Sequence, residues 1–327
     1  MNNQLRPLTL GEILDRTAEL YRNHFLIFAG ISALFAGTML LVQMLHLAAL
    51  ALLGYPHIPA HLEWAYAVTI GVEVLAIALV AGLSIAAFNR AVAWIYLGEP
   101  ATVRAAAGSV FSRLSRYLWL MTVMMFRAWA PLFLMYVALF GLLFAVMPSG
   151  FLFSPQVASH PPAMNPSTAV GVLLSLLVLF PLFFLSVVYG VFMWLRYSLA
   201  MPACVVEGLP TGQAIQRSIE LSKGSRGRIF VLWLLVYVIR LLLDILFAFP
   251  FLIFGIKHPG QQLPLGWLGL SEVAGFVTNT FIGPIYSTGL TLFYYDQRIR
   301  KEGFDIEWMM QAAGLTSQPE LPAPERA

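Results

Sequence analysis

Four charged side chains fall where the sequence is otherwise greasy: Glu73 in the stretch 64–87, Arg127 in 117–147, and Arg240 with Asp244 in 229–256. Inside an apolar segment such a group can pair, hold a polar ligand or exchange a proton. Left alone at the centre of a bilayer, each costs at least ~2.5–3.5 kcal/mol. At about 1.5 Å per residue, Arg127 and Arg240 lie about 15 and 16 Å in from Tyr117 and Ile229, and Glu73 about 14 Å in from Trp64. These depths approach the middle of a ~30 Å hydrocarbon core. Asp244 stands one turn beyond Arg240 on the same face. The four formal charges cancel, so one polar network of Glu73, Arg127, Arg240 and Asp244 is expected, with Asn279 and Thr280 beside it, as a ligand-binding site. The plainer alternative is a local Arg240–Asp244 pair that fixes packing, with Glu73 protonated and Arg127 reaching toward the headgroups.

Other chemistry is sparse. The sequence contains no GxSxG elbow, HExxH, CxxC or GxxxxGK[ST], so standard hydrolases, zinc proteases and ATPases are not expected, and nothing asks for a cofactor. His57 and His61, near Glu63, are weak metal candidates, because Pro59 prevents a helix from aligning the two imidazoles and no third ligand is fixed. The single cysteine, Cys204, excludes an intrachain disulfide.

The elements that must position these residues follow from composition. Of 327 residues, 59% are hydrophobic and only 11% charged, with mean hydropathy +0.79. Soluble domains carry about 25% charged residues. An all-α polytopic membrane protein is therefore expected, with six spans at 25–53, 64–87, 117–147, 168–195, 229–256 and 267–295. The N-terminus does not read as a secretory signal peptide. Of 19 Lys and Arg residues, all but Arg127, Arg240 and Lys257 fall in the N-terminal segment, the second and fourth connections or the tail. Basic connections stay cytoplasmic, which places both termini inside. The bases form no nucleic-acid footprint; the bilayer itself is the expected partner.

The cytoplasmic segments before the odd-numbered spans resemble one another. "PLTLGEILDRTAELYRNHF" (7–25) offers Thr9 as cap, Glu12 to complete a capping box, and Leu10, Ile13, Leu14, Thr17, Leu20 and Tyr21 as one face. "EPATVRAAAGSVFSRLSRY" (99–117) offers Thr102 as cap and a stripe from Val103 through Phe111 to Leu114. "LPTGQAIQRSIELSKGSRG" (209–227) offers Thr211 as cap and Ala214, Ile215, Ser218 and Ile219. The chain thus reads as a single membrane domain over 1–315. It contains three repeats of in-plane helix plus transmembrane hairpin (about 7–98, 99–208 and 209–303) and a closing helix at 304–314. The Pro-rich stretch 316–327 is expected to be a disordered cytoplasmic tail.

"LRPLTLGEILDRTAELYRNHF", "RYSLAMPACVVEGLPTGQAIQRSIELSKG" and "LFYYDQRIRKEGFDIE" together resemble a bacterial multi-pass family similar to the membrane domain of glycerophosphoryl diester phosphodiesterase. The resemblance implies residence in the bacterial cytoplasmic (inner) membrane. It implies no catalytic residue, because the His-Arg-Gly and Glu-Asn-Thr signatures of the phosphodiesterase barrel are absent.

The leading functional expectation is a non-catalytic membrane protein that binds or passes a small polar or lipid-derived ligand at the mid-membrane cluster. A rival is a scaffold that presents its amphipathic helices to a protein partner, a second copy or anionic lipid. A weaker third is an intramembrane enzyme acting on lipid.

Overall fold

The computed structural model describes residues 6–55, 59–146, 166–258, 261 and 263–312. Every regular element among them is helical. In chain order these are α1 (Leu10–Asn23), α2 (Phe25–Leu52), a 3-10 turn (Ala60–Leu62), α3 (Glu63–Tyr96), α4 (Val103–Phe111) and α5 (Leu114–Val146). There follow α6 (Pro166–Tyr197), α7 (Ala200–Val206), α8 (Thr211–Ser222), α9 (Arg226–Lys257), α10 (Leu265–Glu302) and α11 (Phe304–Ala312). Among the described residues, five stretches are long and apolar enough to cross a membrane: Phe25–Leu52, Trp64–Tyr96, Leu114–Ala138, Leu177–Val206 and Arg226–Lys257.

The stretch read as a sixth span lies in α10, which is not among those five. The reason is positional. α10 packs against α1, α2, α3, α7, α8, α9 and α11, and residues 287–297 are buried without a break. A helix half-enclosed in this way need not be apolar throughout to meet lipid, and α10 buries Thr278, Thr280, Ser287, Thr288, Thr291, Asp296 and Gln297.

Two compact units emerge: Met1–Trp119 with Ser198–Ala327, and Leu120–Tyr197. The sequence suggests a single domain with three hairpin repeats, and here the 99–208 repeat is divided between units. The first unit is built around α10. In the second, α5 and α6 approach closely at Gly190, where a Cβ would lie 2.8 Å from the Trp129 ring. Both helices continue through an internal proline, Pro131 and Pro181.

The short helices α1, α4 and α8 each precede a long one, and local chemistry explains their starts. Thr9 accepts the amide of Glu12 at 3.3 Å, and Glu12 accepts that of Thr9 at 2.7 Å, which closes the capping box. Arg6 first, then Thr9, hold the Glu12 carboxyl down to about 2. Thr102 caps α4 through the Ala105 amide at 3.2 Å. Two expectations are corrected. Thr211 is the first residue of α8 and Pro210 occupies the cap position without a side-chain bond, since proline at the boundary already fixes φ. Phe111 is exposed, because α4 buries Ala106, Ala107 and Val110 on a narrower stripe against α3 and α2.

On α1 the buried residues are Ile13 and Thr17, and the helix packs on α10, α2 and α9. Gly303, at φ +67°, ends α10 in the left-handed conformation that glycine adopts freely, and α11 turns back from it. The tail 316–327 lies outside the described residues.

Candidate functional site

The residues singled out by sequence separate into three places. Arg240 and Asp244 do pair, Nε to Oδ2 at 3.4 Å, and Arg240 Nη1 donates to Asn279 Oδ1 at 3.2 Å. The Asn279 carbonyl accepts the Ser32 hydroxyl at 2.8 Å, which ties α2, α9 and α10 together at one level. Thr280 instead donates to its own helix at the Phe276 carbonyl, the ordinary fate of a threonine in an apolar helix. Arg127 is exposed on α5 and belongs to the second unit.

Glu73 finds a different partner. Its Oε2 lies 3.5 Å from Nδ1 of His46 on α2, with side-chain exposures of 20% and 14%. Glu272 on α10 is within electrostatic reach of both. Helix rise places all three at similar depth: Glu73 and Glu272 stand about 15 and 10 Å from the starts of α3 and α10, and His46 about 9 Å from the end of α2. Three helices thus bring two carboxylates and one imidazole to one end of the unit. Neither His46 nor Glu272 follows from the charge-pairing logic above, although both are ionisable residues inside spans and that signal alone marks them.

The His46–Glu73 contact thus has a second carboxyl group, Glu272, in electrostatic reach. Such a set can take up a proton or hold the cationic or donor group of a ligand. Deeper along α10, Thr291 Oγ1 donates to Asn89 Oδ1 at 2.8 Å in a wholly buried contact. The Asn89 amide nitrogen and the Thr288 hydroxyl, both also buried, have no hydrogen-bond partner among the described residues. Buried polar atoms are almost always bonded, so unspent capacity along the central helix is unusual.

The opposite end of α10 is the reverse case, and sequence reading missed it entirely. Asp296, 1% exposed, accepts from the Leu8 amide at 2.8 Å, Arg300 Nε at 3.0 Å, Gln297 Nε2 at 3.0 Å and Arg228 Nη1 at 3.3 Å. Arg228 and Arg300 also donate to the Leu8 carbonyl, at 2.9 and 2.6 Å. Nearby, Arg217 bridges Glu207 at 3.1 Å and Glu302 at 2.5 Å, while Tyr294 bonds Glu207 and Arg298 lies 3.2 Å from Glu302. Lys301 Nζ gathers the carbonyls of Glu220, Leu221 and Lys223 at 2.8, 3.0 and 2.8 Å, a cation on the negative end of α8. Burial, with Lys223 and Arg226 nearby, pulls the Lys301 ammonium below its usual range. These partners lie up to 292 residues apart, beyond any local sequence rule.

His57 lies outside the described residues and His61 is exposed. Among the described residues, no three of His, Cys, Asp and Glu stand together so as to hold a metal ion. No family model, curated protein or solved structure matches the chain.

Proposed function

We propose that the chain is a non-catalytic integral membrane protein that binds or passes a small polar or lipid-derived ligand, with His46, Glu73 and Glu272 at the centre of the site. The observation that carries this reading is the His46–Glu73 contact between α2 and α3, with Glu272 of α10 in electrostatic reach of both. Ionisable groups persist inside membranes chiefly where they act. The charge balance favours a ligand that brings a cationic or proton-donating group. Asn279 and Ser32 extend the polar surface along α10, while Arg240 touches it only through Asn279.

In this reading α10 is the sixth span, the termini are cytoplasmic, and the short helices α1, α4 and α8 open three related units. The resemblance to the membrane domain of glycerophosphoryl diester phosphodiesterase agrees with that arrangement and with a bacterial inner-membrane location, and it supplies no reaction. An impermeant maleimide applied to intact cells should label a cysteine at exposed His61 and spare one at exposed Gln216. Labelling at Gln216 would reverse the orientation.

The functional test is native mass spectrometry of detergent-purified protein. Wild type should carry a bound small molecule or lipid that the Glu73→Gln, Glu272→Gln double variant loses while remaining folded. Equal retention by both would reject the site.

A second reading has one observation in its favour. Phe111 stands exposed on α4 with Arg104 and Arg113 exposed on the same short segment, the pattern of a helix that presses an aromatic into anionic headgroups. Binding that follows anionic lipid content and survives the double Gln change would favour that scaffold role.

A further inference from the structure

The Arg240–Asp244 pair raises a separate question, because it does not lie in the interior. The two side chains are 49% and 50% exposed, halfway along a helix that buries only Ile229, Leu232 and Val236. Acyl chains offer a guanidinium or carboxylate nothing in return, so a half-open ion pair at that depth calls for a polar cover.

The residues around the pair form a pattern. Phe230, Trp233, Tyr237, Arg240, Asp244 and Phe247 follow one another at steps of three, four, three, four and three. That is the spacing of a seam along which one helix packs lengthwise on another with a shallow left-handed crossing. The aromatic part is ordered as a ladder: Phe230 stacks on Trp233 at 5.8 Å and Trp233 on Tyr237 at 5.2 Å. Within the first unit α9 packs on α10 and α1, yet Phe230, Tyr237 and Phe247 keep more than a third of their surface open.

We infer that this flank of α9 is the contact between two copies of the chain, related by a two-fold axis along the membrane normal. Charge selects the occupant. In copies inserted in the same orientation Arg240 faces Arg240 and Asp244 faces Asp244 across the axis, and each long Arg240 side chain reaches the other copy's Asp244 about one turn away, which offsets the like-charge contacts. The four charges cancel, and the guanidinium and carboxylate edges not used in the first pair gain partners. A purely apolar partner helix would add nothing to the bonds that Arg240 already makes to Asp244 and Asn279, and a partner of single net charge would meet a neutral patch. This contact stands apart from the ligand site, and each can fail without the other.

The test uses the full chain in native membranes, with the buried Cys204 replaced by serine. Under mild oxidation Tyr237→Cys and Phe247→Cys should give a disulfide-linked product of twice the chain mass. Leu242→Cys, 63% exposed on the opposite side of α9, should cross-link about tenfold less. A second arm mixes differently tagged copies. The Arg240→Asp chain and the Asp244→Arg chain should each self-associate about tenfold less than wild type and should recover association when co-expressed. Failure of Tyr237→Cys and Phe247→Cys to cross-link above Leu242→Cys overturns the inference, as does cross-linking of them to a different protein. So does a mixed pair that associates no better than either charge variant alone.

Discussion

The two ends of α10 use the same kinds of side chain for opposite ends. At the cytoplasmic end proposed here, Asp296 has donors from Leu8, Gln297, Arg228 and Arg300, and Lys301 meets three carbonyls. At the other end, Glu73 has one imidazole 3.5 Å away, Glu272 has like charge nearby, and farther in Thr288 and the Asn89 amide have no hydrogen-bond partner among the described residues. A buried polar group that is fully bonded specifies a structure; one that is under-bonded has capacity left for something else. The contrast separates charges that hold the fold from charges available to a ligand, and burial alone does not.

The sharpest way to break that contrast is at Asp296. Asp296→Ala leaves the Leu8 amide without its acceptor and Arg228 and Arg300 with only the Leu8 carbonyl, and should cost about 2–4 kcal/mol in a reversible unfolding titration. Loss of α1 docking, read as faster amide exchange over Leu10–Asn23, should accompany it. A cost below about 1 kcal/mol would mean that the network is decorative.

Ile13→Ala, which empties a wholly buried position between α1 and its neighbours, should cost about 2–4 kcal/mol. On the exposed face Asp15→Leu should stay within about 0.5 kcal/mol. Equal costs would mean that α1 does not dock through that stripe.

The mildest structural effect belongs to acid. The Glu12 carboxyl is held below its unfolded value, so its contribution is complete above about pH 4.5 and is lost as pH falls toward 2. Exchange at the first turn of α1 should rise across that window in wild type, and the rise should be absent in Glu12→Gln. An unchanged rise in the variant would assign it to another carboxylate.

What was legible in the sequence was local. Thr9 and Glu12 announce a capping box three residues apart, Thr102 announces the start of α4, and long apolar runs announce the spanning helices. The central place of α10 was not legible, because its polarity looks like a weak span until its seven neighbouring helices are seen. The candidate site was half legible. Glu73 stood out, but its expected partners were the most conspicuous charges, Arg127 and Arg240, and the structure gives it the less conspicuous His46. Arg240 and Asn279, on different helices, meet because α9 and α10 pack side by side, a fact that spacing within either helix cannot supply.

The division between bonded and unspent charge is tested most directly by thermal unfolding of two variants reconstituted in the same lipid nanodiscs. Removing charge without removing bulk, as Asp296→Asn in one and Glu73→Gln with Glu272→Gln in the other, isolates electrostatics from packing. Asp296→Asn should melt well below wild type, whereas the Glu73, Glu272 double variant should melt at or above it, since only the 3.5 Å His46 contact is weakened and like charges are relieved. A double variant that falls as far as Asp296→Asn would contradict the account, because those carboxylates would then be holding the fold.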